Sequence, residues 1–460
     1  MGNGQSSALP MEILQDLFPD QDALLLQTIA EEIARDDAAA LNPDTHTHFK
    51  EFKTEAWQRR RLNWTEHVHE SRHCNTFRRK YRMSYDAFSL LVKILEPSIR
   101  VDYSRHRHGD PIPPEITVAI GIRFMTGVPV LGMIDIYKMS IAQVYRCRDS
   151  FIKAVLTSHA LQINLPQTAE EWESVRMGFE RKSRDGLFHG TCGAIDGFFQ
   201  ATTRPKKSDV RGNVLAYFSG HYKQFGLNCQ AACDSDLRFL YFGVVGPGKT
   251  NDNVAYEFAK ELKEAVGNLP LGLYMVGDAA YTLQEHLLIP FTGSQKDDPN
   301  SDAFNFYLSQ LRIRIEMAFG RLTNKWRILR GRLQGSLETC SKIVFVCAIL
   351  HNFCIDQDGP TSAGDEEDSD DSQSQHQRDD FVVRQAPNGM QYLPTIPDGE
   401  EDPVRVNNFS HARQSIIDRI SSEVIRRPQH NIQRNNPPAA VVTADESNIP
   451  SIGIEFYTSA

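Results

Sequence analysis

An α/β domain with a mixed sheet flanked by helices, preceded by an all-helical region, is the fold class that this sequence predicts. Three observations carry it. Between residues 84 and 165 apolar residues recur at helical spacing, beyond Gly190 the period becomes that of strands, and after about residue 357 the composition turns acidic and polar. The first two patterns are those of a buried helix face and a half-buried strand, and the third leaves too little apolar surface to sustain a fold.

In chain order, residues 10–41 carry Ile13, Leu14, Leu17, Leu24, Leu25, Ile29 and Ile33 at helical intervals with acids opposite, which predicts one or two amphipathic helices of no legible role. A basic stretch from Arg59 to Arg82 follows, including Arg59-Arg60-Arg61 and Arg78-Arg79-Lys80. A solvated helix face and a nucleic-acid contact explain it equally well. Phe88, Leu91 and Leu95 then space one helix, and Ile116, Ile120 and Phe124 a second that stops at Thr126-Gly127. Two more helices follow closely, the last opened by the capping box Ser140-Ile141-Ala142-Gln143. That helix hides Val144, Cys147, Phe151 and Val155 and shows Gln143, Arg146, Ser150 and Lys153. A short helix, a tight turn and a capped helix with a basic face is helix-turn-helix order, which makes Arg146 and Lys153 DNA-binding candidates. Helix pairs of this kind are also common in proteins that never touch DNA.

Strands are predicted over Thr191 to Phe199, Phe225 to Cys233 and Leu237 to Val245, the last two joined by Asp234-Ser235-Asp236 and the third ended by Gly246-Pro247-Gly248. A helix over Asn253 to Val266 leads to an apolar fourth strand, Leu271 to Val276, and helices over Ala303 to Arg330 and Ser341 to Phe353 complete the body. Three meandering antiparallel strands and a right-handed helical crossover to a fourth strand, parallel to the first, is the order of a ribonuclease H-like fold. The chain thus divides into residues 1–70 of unknown role, a helical helix-turn-helix-like region at 71–170, the ribonuclease H-like domain at 185–355 and a tail at 356–460. Within the tail, Ser415 to Arg427 keeps helical spacing at Ile416, Ile420 and Val424 and is expected to dock on the body.

The 460 residues are 40% hydrophobic and 24% charged, ordinary values that exclude wholesale disorder, a collagen-like fibre and a membrane-embedded body. Eight cysteines without an apolar leader argue for a reducing compartment. Cys340, Cys347 and Cys354 lie seven residues apart, about 10 Å along a helix, too far to share one ion. They read as core residues, as do Cys229 and Cys233. The net charge of -9 is misleading as an average, because residues 365–402 hold twelve acids against Arg378 and Arg384, a local -10 that leaves the rest of the chain at about +1. A nucleic-acid partner is therefore compatible with the folded part. Met1-Gly2-Asn3-Gly4-Gln5-Ser6 fits the myristoylation pattern, a membrane-associated alternative without the second basic signal that stable anchoring requires.

Three carboxylates stand at chemically meaningful places: Asp196 on the first strand, Asp278 leaving the fourth, and Glu316 in the long helix. In the predicted topology the first and fourth strands are parallel neighbours, so Asp196 and Asp278 converge, and a helix packed on that edge brings Glu316 near. Converging carboxylates repel unless a cation sits between them, and oxygen ligands of this kind suit Mg²⁺ or Mn²⁺. Each acid also has a structural explanation: turn chemistry at Asp196-Gly197, helix capping by Asp278, and pairing of Glu316 with Arg312 one turn back. Around Glu316, residues 311–332 hold Arg312, Arg314, Arg321, Lys325, Arg327, Arg330 and Arg332 and no other acid. A lone carboxylate in a basic helix suits a metal held beside a phosphate backbone, which adds Arg312, Arg314, Arg321, Lys325 and Arg327 to the DNA-binding candidates.

Ala-Ile-Asp-Gly at 194–197, Val-Val-Gly-Pro-Gly-Lys-Thr-Asn-Asp at 244–252, Gly-Asp-Ala-Ala-Tyr at 277–281, Ile-Glu-Met-Ala-Phe-Gly-Arg-Leu at 315–322 and Leu-His-Asn-Phe at 350–353 resemble the D-D-E endonuclease domain of PIF/Harbinger transposases and their domesticated relatives. The likeness spans about 190–355, with a weaker echo from Thr76 to Val155. It implies a ribonuclease H-like catalytic core with Asp196, Asp278 and Glu316 on the family's catalytic, metal-binding acids and a divalent cation, Mg²⁺ or Mn²⁺, as cofactor. It further implies a nuclear DNA endonuclease or transposase that cleaves phosphodiesters of double-stranded DNA by a two-metal mechanism and is able to join the freed 3′-hydroxyl to target DNA, working with a separate Myb-like DNA-binding partner protein and open to homo-oligomerisation, with no membrane involved. The alternative is a domesticated, catalytically silent DNA- or protein-binding factor that keeps the fold. Ala280 and Thr282 depart from the family's usual Gly and Pro. Asp252 falls on a recurrent family acid and is read as capping the helix it precedes.

Overall fold

The computed structural model describes residues 61–99, 111–210, 212–359 and 409–428. The helices expected over residues 10–41, together with Arg59, Arg60 and the acidic stretch at 365–402, lie outside the described residues.

Helix α1 (Trp64–His73) starts at Asn63, whose side chain accepts from Glu66 N at 3.4 Å, and leads through α2 (Phe77–Tyr81) to α3 (Tyr85–Leu95), capped by Ser84. Basic residues of this stretch serve the packing: Lys80 Nζ donates to Ser71 Oγ at 3.0 Å, Arg78 pairs with Asp358 at 3.5 Å, and Arg72 lies over the Tyr85 ring at 4.8 Å. Helices α4 (Pro114–Met125), α5 (Val130–Tyr137) and α6 (Ile141–Thr157) follow the predicted pattern. Lys138 ends α5 in the left-handed region (φ 52°), and both halves of the Ser140/Gln143 capping box form. Val144, Cys147, Phe151 and Val155 are buried, while Arg146 and Lys153 are exposed. Helix α7 (Ala169–Glu180), with its own Thr168/Glu171 capping box, then packs on the sheet.

The sheet has six strands: β1 (Thr191–Ala201), β2 (Phe218–Ser219), β3 (Gln224–Cys233), β4 (Phe239–Pro247), β5 (Tyr274–Val276) and β6 (Leu287–Leu288). Its order is β2-β3-β1-β5-β6, with β4 also paired to β3. β1, β3 and β4 form the antiparallel meander, and β5 returns parallel to β1 with Ala194 opposite Val276. This is the predicted ribonuclease H-like arrangement. The two-residue strands β2 and β6 are too short to leave a periodic trace in the sequence.

The crossover helix differs from its expectation. It is broken at Ala259 into α8 (Asp252–Phe258) and α9 (Lys260–Gly267), and since alanine is the best helix former nothing in the sequence marks the break. The long helix α10 (Pro299–Lys325) starts a turn early because Asp298 accepts from Asn300 N and Ser301 N at 3.0 Å, and it yields to a 3₁₀ turn over Arg327–Arg330. Helix α11 (Leu337–Asp358) is, among the described residues, the one helix long and apolar enough to cross a membrane by length and composition, and 67% of that stretch is buried inside the protein.

Apolar residues of α3, α4, α6, α10 and α11 join one face of the sheet in a single buried cluster, with Cys347 Sγ 3.7 Å from Met125 Sδ. On the other face Trp172 of α7 and Leu262 and Val266 of α9 pack with Ile195, Met275 and Leu287. Cys340, Cys347 and Cys354 line the core as free thiols, as do Cys229 and Cys233. The Leu-His-Asn-Phe motif is a clamp between α11 and the β3–β4 turn. Asn352 accepts from Phe239 N and donates to Phe239 O, both at 2.8 Å, as a neighbouring strand would, and His351 Nε2 donates to Leu237 O at 2.8 Å. Burial drives the His351 pKa down to about 3, which keeps the imidazole neutral.

The expected docking helix is present as α12 (His411–Ser422), with Ile416 and Ile420 buried against α10. Burial of each such side chain contributes about 1.5–3 kcal/mol. Arg413 stacks on Phe291 at 3.4 Å, and Arg419 donates to the carbonyls of Gly186 and Asp185 at 3.0 Å. Val424, expected on the docked face, lies past the helix end at φ 52° and is 65% exposed.

Candidate active site

The pairing of β1 with β5 runs no further than Ala194 opposite Val276, and Asp196 and Asp278 each stand two residues beyond that pair, where the chains part. Asp196 is in mid-strand, so the Asp196-Gly197 pair is no turn. Asp278 Oδ1 accepts from Ala280 N at 2.9 Å, a tight turn that fixes its carboxylate without starting a helix.

Asp252 does not cap α8. That place belongs to Asn251, which accepts from Val254 N at 2.9 Å, and Asp252 occupies the first turn behind it. Its Oδ1 lies 3.5 Å from Asn228 Nδ2 and from Gln230 Nε2, and Gln230 Oε1 accepts from the Tyr281 hydroxyl at 2.8 Å. A Cβ on Gly197 would stand 2.2 Å from Asp252 Oδ1. The glycine after Asp196 therefore makes room for a second acid. One signal for this lay in the sequence: Asn228 and Gln230 alternate along an otherwise apolar strand, and buried amides demand polar partners.

The three aspartates share one electrostatic field. Burial, and then the charge of Asp278, push the Asp196 carboxyl up to about 8, with Arg312 and the Gly197 N–H acting in the opposite direction and Asp252 adding to the rise. Burial and Asp278 likewise raise Asp252, against the Asn228 and Gln230 amides and His221. The Tyr281 hydroxyl is raised by burial and then by Asp196, Asp252 and Asp278. Asp196, Asp252 and Asp278 are each only partly buried as residues.

Glu316 is placed differently. It is exposed on α10 with Oε1 3.0 Å from Arg312 Nη1, the i,i+4 pair foreseen as its structural explanation. Its link to Asp196 runs through Arg312, whose charge is felt there. Among the described residues no group of three or more His, Cys, Asp or Glu side chains is arranged to hold a metal ion. The fold thus brings Asp196 and Asp278 together with Asp252 and leaves Glu316 on Arg312. Of the basic candidates, Arg146 and Lys153 are exposed, Arg312, Arg314, Arg321 and Arg327 are half-buried, and Lys325 is 7% exposed, which leaves its ammonium little surface to offer a phosphate.

Residues 195–352 match the family described as DDE superfamily endonuclease. The chain is 26% identical over 303 residues to "Protein ALP1-like" of Arabidopsis thaliana, an alignment covering 62% of this chain and 72% of that protein. It is 26% identical over 275 residues to "Putative nuclease HARBI1" of Mus musculus and 24% identical over 270 residues to its Homo sapiens namesake, covering 58% of this chain and 73% of each relative. No solved structure gives a significant match. The matched segment starts one residue before Asp196 and closes on Asn352, so it contains all four acids and the clamp.

Proposed function

From the premise that residues 195–352 carry a DDE superfamily endonuclease domain, we propose that this chain is a metal-dependent DNA endonuclease of Harbinger type that cleaves phosphodiesters in double-stranded DNA and acts in the nucleus. The observation that carries the reading is the common field of Asp196, Asp252 and Asp278 at the parting of β1 and β5. Buried carboxylates that raise one another's pKa are costly to the apo fold and form a hard-oxygen donor set suited to Mg²⁺ or Mn²⁺. Asp196 and Asp278, with Glu316, would hold the cation. When bound, it supplies positive charge to the attacking and leaving oxygens of an in-line phosphoryl displacement.

The chain's own residues do the positioning. The Ala280 N–H orients the Asp278 carboxylate. The Asn228–Gln230–Tyr281 network holds Asp252 in place while Gly197 lets it approach β1. Arg312, within electrostatic reach of Asp196, adds a positive charge that suits a phosphate at the same place. Cleavage of supercoiled plasmid is expected in Mg²⁺ or Mn²⁺ and not in EDTA; undiminished nicking in chelator removes the metal from the reading.

DNA binding outside the acids is assigned to α6. Its exposed Arg146 and Lys153 lie on the face opposite the buried Val144, Cys147 and Phe151. Replacing both by Ala is expected to weaken DNA binding and lower the slope of log affinity against log salt by about 0.9 for each phosphate no longer neutralised. An unchanged slope, measured by anisotropy titrations at several salt concentrations, returns α6 to a packing role.

A second reading, a catalytically silent DNA- or protein-binding factor, is favoured by one observation: Glu316 is exposed and engaged with Arg312. The variants argued below separate the two.

A further inference from the structure

The segment that carries the chain from β1 to the β2–β3 hairpin has a charge imbalance that the acid site does not use. Residues 203–223 hold Arg204, Lys206, Lys207, Arg211 and Lys223 against Asp209 alone, a local +4 in a chain whose sum outside the acidic stretch is about +1. The basic residues of α10 are mostly half-buried, whereas Lys206, Lys207 and Lys223 are exposed. Among the described residues no acid pairs with these three ammonium groups, while Lys263 and Lys342 each pair with a glutamate. Asp209 accepts from the neighbouring Ser208 hydroxyl at 3.1 Å. The loop has a defined shape: Pro205, Val210 and Val214 are buried, and the N–H groups of Asp209 and Gly212 donate to the carbonyls of Lys206 and Lys207, both at 3.0 Å.

Backbone pairing gathers the lysines at one end of the sheet. Where β1 ends, Thr202 N donates to Phe225 O at 2.8 Å and Thr203 N to Leu333 O at 2.9 Å. Lys206 and Lys207 follow Thr203 closely, and Lys223, at φ 52°, stands just ahead of Phe225 at the hairpin tip. From Asp196 the strand continues to Ala201, about 17 Å at the rise of a β-strand. A duplex rising 3.4 Å per base pair covers that distance in about five pairs. We propose that Lys206, Lys207 and Lys223 form a contact surface for the phosphate backbone of duplex DNA that continues past the end of β1. Ammonium groups act on phosphates as point charges and read no base edge, so the contact is independent of sequence. The inference rests on the proposed action on DNA and deepens it by naming the flank of the acid site along which the duplex runs.

The test uses the full chain in EDTA, where binding is read without cleavage, in anisotropy titrations at several salt concentrations with two unrelated duplexes, each several helical turns long. Lys206→Ala, Lys207→Ala and Lys223→Ala combined are expected to weaken binding to both duplexes alike and to lower the slope of log affinity against log salt by about 2.7, the share of three phosphate contacts. The corresponding triple change to Arg keeps the charges and is expected to keep the slope. Lys93→Ala with Lys260→Ala removes exposed ammonium groups from α3 and α9 and is expected to leave the slope in place. An unchanged slope in an alanine triple variant that melts like the wild type overturns the contact surface, and so does an equal loss per lysine in the α3 and α9 control. Failure of the nuclease reading shows separately, as absent cleavage in Mg²⁺ by a wild type whose binding still depends on the three lysines.

Discussion

Asp196→Asn is expected to abolish DNA cleavage, by on the order of a thousandfold or more, and at the same time to raise the melting temperature of the metal-free protein near neutral pH. The two effects have one cause. Burial and Asp278 hold the Asp196 pKa at about 8 in the fold, against about 3.9 in an unfolded chain. Between those values the folded state binds a proton that the unfolded state does not, so stability falls as pH rises through the window. Asparagine has no proton to lose and no charge to bury. The gain at neutral pH is on the order of 2 kcal/mol, several degrees in melting temperature, and it should shrink toward pH 4, where the wild-type carboxyl is neutral in both states. Mg²⁺ or Mn²⁺ should raise the melting temperature of the wild type and leave that of Asp196→Asn nearly unmoved. Asp278→Asn should lose cleavage equally and relieve Asp196 in part. A variant that melts lower than wild type in EDTA, or that still cleaves, removes Asp196 from the site.

The order of strands and helices was legible because each long element carries a clear period: Val144, Cys147, Phe151 and Val155 are buried where the helical spacing of α6 puts them. The parallel return of β5 to β1 followed from connection rules, and with it the meeting of Asp196 and Asp278. What sequence spacing cannot carry is direction within an element. Asn251 and Asp252 are both able to cap a helix, and only the register that sets Gly197 beside Gln230 decides that Asn251 does so while Asp252 turns to the sheet. The long basic helix posed the same difficulty. Lys325 belongs to the basic run of 311–332 and is the last residue of α10, yet its side chain is buried, because the apolar stripe of Leu311, Ile315, Ala318 and Leu322 continues through it. The His351–Asn352 pair was visible as part of a motif, but its work as a surrogate strand for Phe239 depends on a turn more than a hundred residues away.

Glu316→Gln decides between the two readings of the chain. Glu316 is the acid whose surroundings fit a structural role, 3.0 Å from Arg312 and exposed on α10. Yet it lies one helical turn from a guanidinium whose charge is felt at Asp196, so its partner Arg312 links it to the aspartates' field. On the nuclease reading, glutamine removes a charge that the cation needs and leaves the seven basic residues of 311–332 in place. Cleavage in Mg²⁺ should then fall on the order of a hundredfold or more, while DNA affinity in EDTA holds or rises because a negative charge near the phosphates is gone. Stability should drop by only about 0.2–0.5 kcal/mol, the worth of an exposed i,i+4 pair. On the silent-factor reading the same small loss of stability is the whole effect. Cleavage, gel-shift binding in EDTA and a thermal melt on one preparation distinguish them: retained cleavage with a slightly lower melting temperature takes Glu316 out of the site and leaves the three aspartates as its acids.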